Sequence, residues 1–312
     1  MYNRYNTNNS KKKIMPRYNH SIFKSLKTIN SSQSSQSLNN NKINLIENHT
    51  KNISVVINGR LGNHLFEIIS CWAYAKKYNM NFTLDISYQK KYSKYYENFF
   101  SKIPLSSISS KYTVKQLYPY ENILNRFDLS CINNLLINSY LQNSLNFNQY
   151  RDEILSLFFN SDKIQEKNNK FFIHIRLKDF LTSPQHNLNL DNYYKKAIEY
   201  LQYLDTIGSF DIDNTNFYII SDDINLAKKK YYLNLLPKEN LVFIDNIEYD
   251  EIKTLELFKD CSSGAIIGHS TFAWWGAYII NCPTKIVICP NKFLKGNHNF
   301  TGFYLNYKII NI

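Results

Sequence analysis

A chain of 312 residues, 44% of them apolar, is long enough for two domains and a substantial buried core. Its 37 Lys and Arg against 25 Asp and Glu give +12, but residues 1–50 hold eight basic residues against the single acid Glu47, leaving about +5 for the other 262. The basicity therefore belongs to a leading segment and argues against a nucleic-acid-binding face on the folded body. Five cysteines (Cys71, Cys131, Cys261, Cys282 and Cys289), an odd number with no C-x-x-C pair, point to free thiols in a reducing compartment. The start, Met-Tyr-Asn-Arg-Tyr-Asn, lacks the apolar core of a signal peptide, and no later run approaches the roughly 18 apolar residues of a membrane span. The expectation is a soluble, cytoplasmic protein whose oligomeric state the sequence does not encode.

Residues 1–50 carry Lys11-Lys-Lys13 and the Ser/Gln/Asn run from Ser31 to Asn41. Such a segment buries too little apolar surface to offset its ordering entropy and is expected to be disordered. Order begins with the β-branched run Ile53 to Ile57, followed by the turn Asn58 to Asn63 and a helical pattern through Leu65, Ile69 and Trp72. Gly59 and Gly62 let the backbone turn sharply and approach a ligand closely, and the free N–H groups of the helix start favour an anion. By itself a G-x-x-G turn is weak evidence of a ligand. The middle third, Tyr88 to Asn146, is aromatic and irregular. Its one legible piece is Leu135 to Ile137, leading into Asn138 to Asn143, where Tyr140 and Gln142 share a side if the run is extended. A helix over Asp152 to Phe159 and a polar stretch from Asn160 to Lys170 put a domain boundary near residue 165, giving domains 51–164 and 165–312.

Phe171 to Ile175 is a buried-strand pattern that ends abruptly in Arg176 and Asp179. In open α/β sheets the carboxyl ends of strands are where ligands bind. A guanidinium there has a planar fork of donors suited to diphosphate oxygens, and Asp179 would fix the fork or the loop backbone. A surface ion pair is the plainer alternative for this pair alone. Asp191 is expected to cap a helix running to Leu204. Asn216 to Ile220 is the next strand and ends in Ser221-Asp222-Asp223. Leu241 to Ile244, Ala265 to Ile267 and Lys285 to Cys289 are further apolar runs separated by helical stretches, so the sheet is expected to be parallel and doubly wound. Gly268 to Gly276 follows a strand and opens a helix, placing the hydroxyls of Ser270 and Thr271 at a helix start that could cap, bind phosphate, or do both.

Gly59-Arg-Leu-Gly-Asn63, His174-Ile-Arg-Leu-Lys-Asp179, Tyr218-Ile-Ile-Ser-Asp-Asp223 and Ser270-Thr-Phe-Ala-Trp-Trp275 resemble, in kind and order, the motifs of glycosyltransferase family 11, the α-1,2-fucosyltransferases. Tyr140-Leu-Gln142 resembles that family's G-Y-x-Q segment. The resemblance covers roughly residues 53–293. It implies an α/β GT-B fold, two Rossmann-like doubly wound domains facing a cleft, and an inverting, metal-independent transfer of fucose from GDP-fucose to a sugar hydroxyl of a glycan acceptor. It implies that Arg176 holds the β-phosphate and the departing diphosphate, that Ser270 and Thr271 hold phosphate oxygens, that Asp222 meets the guanine or ribose, and that Asn63 lies near the reacting centre. Gly59, Gly62, His174 and Phe272 fall among the donor-binding positions by the same match. Asp179 is the candidate carboxylate for the acceptor proton, with a structural role as the alternative.

The chain departs from the family's H-x-R-R-G-D by placing Leu177 and Lys178 where a second arginine and a glycine stand, and from its other motifs at His64, Asn138 and Ser139. These departures leave open another GDP-sugar as donor, or an inactive nucleotide- or sugar-binding homologue. A metal-dependent alternative would rest on Asp211-Ile-Asp213, which precedes a strand instead of following one. No His/Cys set has zinc spacing, so no cofactor and no metal are expected.

Overall fold

The computed structural model describes residues 51–126, 128–245, 250–296 and 305–312. The extension expected to be disordered, residues 1–50, lies outside the described residues. The first half runs β1 (Asn52–Val55), α1 (Leu61–Lys77), β2 (Asn81–Phe82), β3 (Leu84–Asp85), α2 (Ile86–Lys91), α3 (Ser93–Tyr95), β4 (Leu105–Ser106), β5 (Thr113–Gln116), α4 (Ile123–Arg126), β6 (Asn134–Asn138) and α5 (Arg151–Phe159). The second runs β7 (Lys170–Ile175), α6 (Lys178–Thr182), α7 (Asp191–Thr206), β8 (Asn216–Ser221), α8 (Ile224–Ala227), β9 (Leu241–Phe243), α9 (Glu251–Asp260), β10 (Gly264–Ile267), α10 (Thr271–Ile279), β11 (Ile286–Pro290) and β12 (Lys308–Ile310).

Both halves are mixed α/β with parallel sheets. The first sheet has the order β2-β1-β6-β5 and the second β12-β11-β10-β7-β8-β9, with parallel pairing throughout. A separate parallel pair joins β3 to β4. Read from β9 to β12, the second sheet has the order 3-2-1-4-5-6 of doubly wound nucleotide-binding sheets, which reverses between β7 and β10. Such strands are covered on both faces, which is why Phe171 to Ile175 and Gly264 to Ile267 are buried without alternation.

One apolar core spans the two sheets. Phe66 of α1 lies 4.7 Å from Trp274 and 5.1 Å from Trp275 of α10, and Phe147 stacks on Trp275 at 5.2 Å. All four side chains are fully buried. Arg151, at the start of α5, donates to the carbonyls of Tyr278 and Ile280 at 3.0 Å each, and so ties the first half to the last turn of α10.

Three expectations change. Asp191 does not cap α7: Leu190 occupies that position, and Asp191 sits in the first turn with its carboxylate 2.8 Å from Lys230, where its negative charge still complements the helix dipole. The segment Tyr140–Gln142 is not extended, because Leu141 takes a left-handed φ of 49° and turns the chain directly after β6. The middle third holds the four-residue strand β5 beside β6, which becomes a central strand of the first sheet.

Gly62 packs tightly against the start of α10. A Cβ there would lie 2.6 Å from the Phe272 backbone nitrogen and 2.7 Å from Thr271 Oγ1. Gly62→Ala must therefore push the starts of α1 and α10 apart, and a loss of about 1–3 kcal/mol is expected in urea unfolding. Unchanged stability would show that the junction is looser than this geometry requires.

Candidate active site

Arg176 leaves the carboxyl end of β7 with its side chain only 18% exposed. Its Nε donates to Asp179 Oδ1 at 3.0 Å, and its Nη2 reaches Oδ1 and Oδ2 at 2.7 and 2.9 Å. The guanidinium also lies over the Phe180 ring at 5.3 Å. Asp222, at the end of the adjacent β8, accepts from the Leu177 N–H at 2.8 Å through Oδ1. Its Oδ2 sits 3.2 Å from Arg176 Nε without a hydrogen bond, because that N–H is directed at Asp179. The fork is thus set between two carboxylates supplied by neighbouring strand ends.

Across the sheet's reversal, β10 ends at Ile267 and the chain enters α10 with Ser270 as its cap. Ser270 Oγ accepts from Ala273 N at 3.5 Å, so the hydroxyl caps the helix, as one of the alternatives required. Thr271 Oγ1 donates to Asn63 Oδ1 at 3.0 Å, and Gln142 Nε2 donates to the same oxygen at 3.1 Å. Asn63 therefore collects the turn after β1, the turn after β6 and the start of α10 at one atom. Gly59, with φ +75°, has no room for a Cβ against the Asn63 amide, so the β1–α1 turn needs glycine on both conformational and steric grounds.

Beneath that turn, Glu67 of α1 is fully buried and accepts from Asn58 N at 3.0 and 3.2 Å and from Asn58 Nδ2 at 3.2 Å. Burial pushes its carboxyl up to about 9, partly opposed by those Asn58 hydrogen bonds. His64 is buried beside it, with Nε2 3.2 Å from the Gly59 carbonyl and Nδ1 3.3 Å from the Tyr88 hydroxyl. The rings of Tyr88, Tyr92 and Tyr95 lie 5.7, 4.7 and 5.8 Å from its imidazole. Burial holds His64 down at about 4, so it is neutral and donates through Nε2 to Gly59.

The predicted site residues fall into two groups. Gly59, Gly62, Asn63, Arg176, Asp179, Asp222, Ser270, Thr271 and Phe272 line the loops after β1, β7, β8 and β10, linked by the contacts above. His174 is different: it is buried, its Nδ1 has no hydrogen-bond partner, and its ring faces those of Phe258 and Phe272 at 6.1 and 6.4 Å. Burial, with Arg176 nearby, holds it down at about 3, and its carbonyl accepts from the Tyr194 hydroxyl at 2.7 Å. Arg60 escaped the sequence reading, although it stands inside a motif: its Nη2 lies 3.7 Å from Asp179 Oδ2. Only the pairing of residues 119 positions apart reveals it. Asp211 caps a local turn by accepting from Asn214 N at 3.0 Å, on the loop that enters β8 and so at the opposite end of that strand from Asp222. Among the described residues, no three His, Cys, Asp or Glu are placed to hold a metal ion, and no helix is long and apolar enough to cross a membrane.

No family model matches the chain. It is 29% identical over 198 residues to the O-antigen biosynthesis glycosyltransferase WbnK of Escherichia coli, covering 57% of this chain and 62% of that protein. The chain thus spans about three fifths of that relative's length. It is 24% identical over 280 residues to an alpha-1,2-colitosyltransferase of Escherichia coli, covering 76% of this chain and 90% of the relative. Both relatives are glycosyltransferases, the class whose motifs the five segments resemble. Among solved structures, a mutant of Arabidopsis thaliana FUT1 in complex with GDP gives a TM-score of 0.43 at 10% identity, over 76% of this chain and 70% of that one. Fucosyltransferase NodZ from Bradyrhizobium gives 0.36 at 12% identity, over 73% and 92%.

The Glu67 geometry sets a pH dependence. The unfolded chain ionises this group near 4.5, whereas the folded one holds its proton to about 9, so the stabilisation is complete below the first value and is lost as pH rises through the second. Thermal melts of wild type and Glu67→Gln between those limits should show the wild type losing stability with rising pH relative to the variant. Parallel curves would place an ionised carboxylate beneath the turn.

Proposed function

We propose that this protein is an inverting GT-B glycosyltransferase that moves fucose, or a related sugar such as the colitosyl group in one relative's name, from a GDP donor to a sugar hydroxyl. Residues 51–164 and 165–312 are proposed as its acceptor-side and donor-side domains. The observation that carries this is the position of Arg176 at the carboxyl end of β7, next to the β7/β10 reversal, with the start of α10 across that crevice. Crevices at such reversals, with a helix start alongside, suit a nucleotide diphosphate.

In this reaction the bond from the sugar's anomeric carbon to the β-phosphate oxygen breaks, and its electron pair leaves with GDP. The acceptor hydroxyl oxygen bonds the opposite face of the anomeric carbon and its proton passes to a base. Arg176, the N–H groups opening α10 and the Thr271 hydroxyl, once its proton is released from Asn63, face the charge that develops on the diphosphate. Asp222 is proposed to set the Arg176 loop through the Leu177 N–H as well as to approach the nucleoside. Asp179 orients the fork. To act as the base it would first have to release the guanidinium that engages both its oxygens. No metal is invoked in this scheme, in which Arg176 and the backbone donors of α10 are assigned to the diphosphate.

Purified protein incubated with GDP-fucose, other GDP-sugars and UDP-sugars should release GDP selectively and continue in excess EDTA. Loss of activity in chelator with rescue by manganese would overturn the metal-free scheme. Arg176→Ala and Arg176→Lys should each lower turnover by about 10²–10³, because a lysine cannot reproduce a fork held between two carboxylates. Lys178, exposed at the first turn of α6, should tolerate Lys178→Gly with no more than about a tenfold loss, as a solvated charge contributes little. Equal damage from Lys178→Gly and Arg176→Ala would reassign the leaving-group role.

A further inference from the structure

The charge around Arg176 does not balance in favour of an anion. The guanidinium is paired with both Asp179 and Asp222, so these three groups carry a net negative charge towards the crevice. A diphosphate approaching them meets two carboxylates for one arginine. The position that the resembled family gives to its second arginine holds Leu177, which is 4% exposed, so no charge comes from there. The missing cation comes from the other half of the molecule. Arg60 is the last residue before α1, its side chain is 76% exposed, and its Nη2 reaches Asp179 Oδ2 at 3.7 Å. Two residues on, Gly62 packs against Thr271 and Phe272 at the start of α10, and Asn63 accepts from Thr271. Arg60 is thereby anchored beside the same helix start that Arg176 faces across the crevice.

We infer that Arg60 is a second guanidinium for the leaving diphosphate, resting loosely on Asp179 until a phosphate takes that carboxylate's place. This rests on the GDP-donor reading given above. An exposed pair at 3.7 Å is worth little to stability, so Arg60 turns from Asp179 towards a phosphate at small cost, whereas Arg176 is locked by three hydrogen bonds to Asp179. The division of labour is physical: Arg176 defines a fixed position and Arg60 supplies a mobile, fully charged fork from the opposite wall.

The test measures GDP affinity by calorimetry and turnover of the GDP-sugar on the full chain, for wild type, Arg60→Ala, Arg60→Lys, Asp179→Asn and the double variant Arg60→Ala/Asp179→Asn. Because Arg60 is exposed, its variants should unfold at the wild-type temperature. Arg60→Ala is expected to weaken GDP about tenfold and to lower turnover about 10²-fold, with Arg60→Lys recovering only part. In the Asp179→Asn background, Arg60→Ala should still weaken GDP by a similar factor. If the factor vanishes there, Arg60 acts only by holding Asp179, and direct contact with the diphosphate is overturned. If wild type binds GDP and Arg60→Ala matches it within twofold in both measurements, this inference alone fails. If wild type binds no GDP, the donor reading itself fails and this inference falls with it.

Discussion

The candidate site depends on the packing of two helix starts against each other at Gly62. The amino-termini of α1 and α10 each carry partial positive charge and unpaired N–H groups, so their approach is electrostatically unfavourable and must be held by something else. The holding comes from behind. The fully buried cluster of Phe66, Phe147, Trp274 and Trp275 fixes the two helices side by side. At the far end of α10, Arg151 and Lys285 donate to its last carbonyls, Lys285 reaching the Ala277 and Ile280 oxygens at 2.7 Å each. Burial and the nearby Arg151 push Lys285 down to about 7, so near neutral pH this amine donates to the carbonyls while carrying only part of a charge. The helix therefore presents its anion-seeking end to the crevice while its opposite end is saturated.

The two sheets reach this junction by different routes. In the second sheet the order reverses between β7 and β10, so the loops leaving those strands diverge, whereas the first sheet simply sets β1 beside β6. The first sheet supplies the Gly59–Asn63 turn and Gln142; the second supplies Arg176 and the Ser270–Thr271 helix start. Asn63 Oδ1, accepting from both Gln142 and Thr271, is the atom at which the loops of the two sheets meet. Glu67 and His64 serve this geometry from below, holding the Asn58 and Gly59 backbone with groups that burial keeps neutral near pH 7.

The departures from the resembled motifs have local causes. Leu177 is buried and its N–H is bound by Asp222, so that position faces the protein interior and the neighbouring strand end. Lys178 opens α6 on the exposed side. The cation that meets Asp179 from outside its own loop is Arg60, whose Nη2 lies 3.7 Å from Oδ2.

β1, β6 and the strands β7 to β11, with the longer helices and the parallel arrangement, were legible in the sequence because they are local: β-branched runs bounded by turn residues, and apolar spacing that changes period between strand and helix; the short β2 to β5 and β12 were not. Arg176, Asp179 and the Ser270–Thr271 helix start could be named for the same reason, since each follows closely on an apolar run, whereas Asn63 was named through the resemblance to the fucosyltransferase motifs. The left-handed Leu141, the Leu190 cap and the place of β6 at the centre of the first sheet were not legible, because tertiary contacts override weak local preference. Nor were the pairings that make the site: Asn63 with Thr271, Gln142 with Asn63, Arg60 with Asp179, and the two carboxylates around one guanidinium. The sequence by itself determined which residues stand at strand ends and helix starts. The tertiary structure alone decided which of those ends meet, because strand order and the approach of the two sheets arise from burying a shared aromatic core between segments more than a hundred residues apart.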